Sequence, residues 1–276
     1  MNIGVCLYHD IQNMENSLRN MVSQGFYHCQ LISWQPALWN TEQAEYISSL
    51  CSTYGVEITA FWCGWEGPAV WNFYDGPQTL GLLPESYRYA RMKNLMDGAD
   101  FAGRLGIQHI VSHMGFIPEN PHDPSYAGLL CAIRTVALHL QSKGQWLLFE
   151  TGQETPVTLL RAIEDIGTGN VAVNLDPANL ILYGKANPVD ALDVLGEYVK
   201  GVHAKDGVYP TNGRELGTEV PLGAGKVNFP LFLRKLKHLG YRGSLTIERE
   251  IAGEQQMKDV LHAKEYLEKL LEELNS

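Results

Sequence analysis

The feature of this chain that most restricts its fold is an alternation of short apolar runs with stretches of helical spacing, sustained over all 276 residues. Strand-like runs fall at 2–8, 26–33, 56–62, 107–112, 146–150, 171–175, 200–203 and 244–248. Between them, segments such as 86–105 and 125–143 carry helical spacing. In the last segment Leu267, Leu270, Leu271 and Leu274 recur three and four residues apart with Glu and Lys between them, which predicts a helix with its Leu face packed inward. Eight strands alternating with helices predict a closed parallel barrel rather than an open doubly wound sheet. A (β/α)8 barrel needs about 250 residues. No stretch rich in Pro, Ser or charge splits the chain, so one α/β barrel domain over 1–276 is expected.

Four side chains able to ligate a metal close four of these runs: Glu150 in QWLLFE, Asp176 in VAVNLD, His203 in VKGVH and Glu248 in SLTIE. A parallel barrel makes neighbours of strand ends that are distant in sequence. The first three are 26 and 27 residues apart, close to the roughly 30 of one βα unit. His203 and Glu248 are 45 apart, so the seventh unit carries an insertion, read as a long loop over 207–227. A second long loop, 63–85, follows the third strand. Long loops at the C-terminal face of a barrel usually carry function.

Three carboxylates brought together would repel and raise one another's pKa, and a divalent cation relieves that repulsion. Any one of them alone is better read as a solvated loop charge or a helix cap. Four at corresponding strand ends read as a metal site. Its three oxygen ligands and one nitrogen suit one divalent ion, Mn2+ first and then Mg2+, with Co2+ or Zn2+ able to substitute.

The formal net charge of −10, without a basic stripe, opposes nucleic acid and anionic membrane as partners. No apolar run is long enough to span a bilayer. The N-terminal MNIGVCLYHD reads as a strand rather than a signal peptide. Cys6, Cys29, Cys51, Cys63 and Cys131 are odd in number and lack C-x-x-C spacing, so buried reduced thiols and a cytoplasmic location are expected.

FETG at 149–152, NLDPAN at 174–179, HAKD at 203–206, PLGAGKVNFP at 221–230 and IERE at 247–250 stand in an order that resembles the xylose isomerase-like TIM-barrel superfamily. The resemblance is to its sugar isomerase and epimerase branch, which includes ketose 3-epimerases and inosose-processing enzymes. It implies that Glu150, Asp176, His203 and Glu248 hold one divalent metal and that Glu150 and Glu248 are the acid and base. It also implies a sugar or keto-sugar substrate, and homo-oligomers are common in this architecture. The chemistry is coherent with that assignment. Epimerisation beside a carbonyl removes a weakly acidic C–H proton, one carboxylate taking it and a second returning one, through a metal-stabilised cis-enediolate.

Further residues are candidates for substrate contact. His9 and His113 lie near the ends of the first and fourth strands. Trp34 and Trp62 end the second and third, with Trp65 and Trp71 close behind, and aromatic faces stack on sugar C–H faces. Strand alternation puts Lys205 on the face of His203, while Asp206 is a candidate support for the histidine or a metal-bound water. Glu154 is a substrate contact or a helix-entry carboxylate. Asn179 stands where several relatives place a second His, and Arg214 lies in the long seventh loop, where a solvated arginine is the plainer reading. No phosphate clamp is evident, which favours an unphosphorylated substrate.

The leading expectation is therefore a metal-dependent sugar epimerase or isomerase. The same enediolate would also serve a dehydratase or lyase acting on an inosose or 3-keto-glycoside. An endonuclease IV-like DNA-repair enzyme requires more His ligands than stand here, and a non-catalytic sugar-binding barrel would not require the paired Glu.

Overall fold

The computed structural model describes residues 1–275. Its strands are β1 (Asn2–Tyr8), β2 (His28–Ser33), β3 (Glu57–Cys63), β4 (His109–Ser112), β5 (Trp146–Glu150), β6 (Val171–Leu175), β7 (Val199–Ala204), β8 (Asp206–Val208), β9 (Thr218–Val220) and β10 (Ser244–Ile247). The α-helices are α1 (Met14–Ser23), α2 (Thr41–Tyr54), α3 (Gly76–Thr79), α4 (Glu85–Arg104), α5 (Pro124–Gln141), α6 (Pro156–Ile166), α7 (Pro177–Leu182), α8 (Pro188–Leu195), α9 (Phe229–His238) and α10 (Glu254–Asn275). Eight strands close into a parallel barrel in the order β1-β10-β7-β6-β5-β4-β3-β2, as the alternation predicts. Ends of the expected runs move by one or two residues.

Local chemistry explains the element boundaries. The Asn40 side chain accepts from the Gln43 amide at the start of α2, and Gly55 ends that helix in the left-handed region at φ 66°. In the same way Thr155 caps α6, Pro156 occupies its first turn and Gly167 closes it at φ 64°. Every residue of β6 is buried, as a strand enclosed by helices on one side and the barrel interior on the other must be. In α10, Leu267 and Leu270 are buried, and Leu271 and Leu274 pack partly buried against the same core.

The barrel interior is divided. Ile32, Ala60, Trp62, Val111, Leu148 and Ala172, from β2 to β6, form an apolar cluster. Polar Gln30, Asn174, His203 and Thr246 are buried as well. The barrel interior therefore combines apolar packing with buried polar groups, of which Gln30, Asn174 and His203 are joined by hydrogen bonds.

Two loops are more ordered than expected. The 207–227 segment contains an antiparallel hairpin, with Asp206 paired to Val220 and Val208 to Thr218. The 63–85 segment contains α3 and is fastened by the buried Arg91. Its guanidinium donates to the carbonyls of Thr79, Gly81 and Pro68 at 2.8, 2.7 and 2.8 Å and lies over Trp65 at 5.2 Å. All five cysteines are free, but only Cys29 and Cys63 are buried and Cys131 is exposed, which corrects the expectation of five buried thiols. Among the described residues, no helix is long and apolar enough to cross a membrane.

Candidate active site

Glu150 is the last residue of β5, Asp176 and Glu248 follow directly on β6 and β10, and His203 lies near the end of β7. All four are buried, and one ligand atom from each lies within 4.8 Å of the others. Nδ1 of His203 is 3.2 Å from Oε1 of Glu150, 3.3 Å from Oε2 of Glu248 and 3.6 Å from Oδ2 of Asp176. Asp176 is held by its other oxygen, which accepts from the Asn179 amide at 2.8 Å and so caps α7. Its Oδ2 and the Nδ1 of His203 are left buried without a hydrogen-bond partner among the described residues. Buried orphaned atoms facing one point are what a coordinating ion would satisfy. Three carboxylate oxygens and an imidazole nitrogen fit a divalent cation.

The surroundings fix each group. Nε2 of His203 donates to the side-chain carbonyl of Gln30 at 2.7 Å, which turns Nδ1 toward the carboxylates. Glu150 accepts from Trp62 Nε1 through Oε2 and from Asn179 Nδ2 at 3.2 Å through Oε1, with His113 Nε2 3.5 Å away. Lys205 Nζ donates to Glu248 at 3.0 Å and to Glu250 at 2.7 Å, and lies 3.7 Å from Asp176.

Electrostatics follow from this packing. Burial raises the Glu150 pKa, and the charges of His113 and His203 more than reverse it, holding the carboxyl well below the usual range. Burial likewise works against Glu248, and Lys205 and His203 hold it at about 2. Both stay ionised. Burial alone would discharge Lys205, but Glu248, Glu250 and Asp176 hold it in its charged form.

A cavity of about 350 Å3 opens above the four residues. Tyr8, Trp34, Trp62, Trp71 and Tyr183 supply its aromatic lining, with His113, Gln153, Asn179 and Glu250 as polar points. Trp34 and Trp62 lie 4.9 Å apart, and Trp71 meets His113 edge-on at 4.9 Å. Gly64 makes this possible, because a Cβ there would lie 2.6 Å from the Trp34 ring.

Five residues expected to face substrate lie outside the cavity lining: Lys205, buried beneath it and held by Glu248 and Glu250, and the four that follow. His9 turns away from the cavity, its Nδ1 3.2 Å from Ser33 Oγ and its ring stacked on Phe101 at 5.7 Å. Both Asp206 oxygens are taken by backbone amides of Gly207, Gly223, Gly225 and Val227 at 2.8 to 3.1 Å, so Asp206 latches the insertion and does not support His203. Arg214 is exposed, and Leu216 is the part of that loop that reaches the cavity. Glu154 is buried outside the cavity lining, and burial pushes its carboxyl up to about 7. Sequence reasoning does not single out Gln30, Glu250, Tyr183 or Gln153, although Glu250 stands only two residues beyond Glu248.

Fold and site together define a (β/α)8 barrel whose strand ends gather a buried donor set suited to one divalent ion. The chain belongs to the xylose isomerase-like TIM barrel family, whose model matches residues 18–271. The uncharacterized protein MJ1311 of Methanocaldococcus jannaschii is 32% identical, over 96% of this chain and 87% of its own. A xylose isomerase domain protein from Planctomyces limnophilus is 32% identical and superimposes with a TM-score of 0.90, over 99% of this chain and 97% of that one. A D-tagatose 3-epimerase-like protein, at 22% identity, superimposes with a TM-score of 0.78 over 100% and 98% of the two chains, a likeness of fold.

Proposed function

We propose that this protein is a divalent-metal-dependent epimerase or isomerase acting on an unphosphorylated ketose or keto-sugar. The observation that carries this reading is the placement of two ionised carboxylates, Glu150 and Glu248, at 3.2 and 3.3 Å on either hand of the same His203 nitrogen beneath an aromatic cavity. A divalent ion held by Glu150, Asp176, His203 and Glu248, Mn2+ in the first instance, would stabilise the negative charge that develops on substrate oxygens as a proton leaves.

The chain's own groups account for the rest. One of the two Glu takes the proton from the carbon beside the carbonyl. The other, ionised at rest, delivers to the opposite face a proton it first takes up from solvent, and the first then releases its own to solvent, so the pair returns to its starting charge. Trp62 and Asn179 hold the oxygens of Glu150 in place, and Lys205 does the same for Glu248. Trp34, Trp62 and Trp71 present faces for sugar C–H groups and keep water from the carbanion. Among the described residues no lysine or arginine lines the cavity, and Lys205 beneath it is engaged by two carboxylates, which supports an uncharged substrate. Five free thiols suit a reducing cytoplasm.

The test is solvent exchange. Mg2+-loaded protein is incubated in D2O with ketoses, inososes and 3-keto-glycosides, and each is followed by NMR. Deuterium at a carbon next to the carbonyl with retention of all oxygens supports the proposal. Loss of a β-hydroxyl or an aglycone would replace it with a dehydratase or lyase. Absence of exchange across the panel, with metal bound, would overturn it.

A further inference from the structure

A second cavity, of about 240 Å3, enters the barrel from the opposite end, where Asn2, Glu57, His109, Lys200 and Arg242 surround the starts of the strands. Its inner end is formed by Gln30, Asn174 and Thr246, all buried. In most barrels of this type the interior is closed by layers of bulky branched side chains. Here Gly201 replaces one of them, and a Cβ at that position would lie 2.2 Å from the Asn174 carbonyl oxygen.

The hydrogen bonds along this floor have a direction. His203 Nε2 donates to the Gln30 carbonyl at 2.7 Å, and the Gln30 amide then donates to the Asn174 carbonyl at 3.4 Å. Both amide orientations are thereby set, and Nδ2 of Asn174 points its donors away from the chain of bonds. That nitrogen is buried, belongs to a residue only 1% exposed, and has no acceptor among the described residues. A buried N–H2 group without an acceptor costs free energy that an incoming oxygen would recover.

The rim favours a negatively charged oxygen. Lys200 and Arg242 are cations. His109 is kept neutral, first by burial and then by the charge of Lys200. Glu57, the one carboxylate in the lining among the described residues, lies 3.3 Å from His28 Nδ1. We propose that the N-terminal mouth of the barrel is a binding site for a small oxyanion, of the phosphate, sulfate or carboxylate kind. Its oxygen accepts from Asn174 Nδ2, and its charge is met by Lys200 and Arg242. The site is separate from the sugar cavity and does not depend on the catalytic reading.

The probe is sulfate, which leaves divalent metals in solution. Binding is measured by calorimetry on the metal-loaded protein, on Arg242→Ala and on Lys200→Met, which removes the charge that Lys200 Nζ holds 4.1 Å over the Trp146 ring but keeps an unbranched side chain there. Side-chain amides of 15N-labelled protein are followed in parallel. Saturable binding, weakened about tenfold or more by each variant, is expected from loss of one charge-assisted contact. The Asn174 amide resonance should shift along the same saturation curve. Equal affinity in wild type and both variants would place sulfate elsewhere and overturn the proposal. So would saturation without movement of the Asn174 resonance, or no saturable binding of sulfate, phosphate or acetate.

Discussion

Gln30 accepts a 2.7 Å hydrogen bond from Nε2 of His203 through its side-chain carbonyl, deep inside the barrel and 173 residues away in sequence. That bond fixes the histidine tautomer and points the other ring nitrogen at Glu150, Asp176 and Glu248. Gln30→Leu keeps the side-chain volume but removes the acceptor. The loss of such a partner typically lowers metal affinity by about 10–100-fold. Calorimetric titration of metal-stripped protein with Mn2+ checks this, and Gln30→Glu, which keeps an acceptor, should retain more of the affinity than Leu. Unchanged affinity in Gln30→Leu would mean that the ring is held by packing alone.

Lys205 is a buried ammonium among Asp176, Glu248 and Glu250. In the metal-free protein it is the nearest compensation for those carboxylates besides His203. Lys205→Met removes it without opening a cavity. Breaking a buried ion pair from one side costs about 3–5 kcal/mol, so the metal-free variant should lose stability on that scale. A bound divalent ion would compensate much of the same charge, so the rise in Tm on adding Mn2+ should be larger in Lys205→Met than in the wild type. Equal rises would show that lysine and metal act on different carboxylates.

The positions of these residues show which parts of the site can be read from a sequence. Glu150, Asp176, His203 and Glu248 were legible because each closes an apolar run and the barrel topology does the rest. Gln30 was not, since a lone amide inside HCQLIS is indistinguishable from an outward-facing polar residue until its partner on β7 is known. The misplaced residues have a simple cause. Alternation along a strand end sends Tyr8 and Lys205 to the interior, and therefore sends His9 and Asp206 out of it. His9 then meets Phe101 on α4, and Asp206 meets the returning backbone of 223–227. Arg91 is not legible in the sequence because its three carbonyl partners all lie in a loop whose path no periodicity predicts.

Asp206→Ala separates a latch from a group that tunes the metal. Its carboxylate accepts four backbone N–H bonds, and Gly225 is required there because a Cβ would lie 2.0 Å from Asp206 Oδ1. Removing the carboxylate leaves several of those amides without an acceptor, at a cost on the order of 3 kcal/mol. Hydrogen exchange at Gly223, Gly225 and Val227 should accelerate, while Mn2+ affinity stays within about twofold of wild type. A large loss of metal affinity with protected amides would reverse the assignment.

Glu154 gives the protein a pH dependence of its own. Burial raises its carboxyl from the ordinary value near 4.5 to about 7. Below about pH 4.5 the group is protonated in both folded and unfolded chains and contributes no difference. Between about 4.5 and 7 the unfolded chain releases the proton while the folded chain keeps it, so folding stability falls as pH rises. Above about 7 both forms are ionised and the penalty, roughly 3 kcal/mol, is constant. Glu154→Gln preserves the shape and an acceptor oxygen but has no charge to bury. Urea unfolding should therefore show the variant close to wild type near pH 5 and more stable by roughly 2–3 kcal/mol near pH 8. Parallel stability curves across that window would mean that Glu154 ionises in the folded protein at an ordinary pKa.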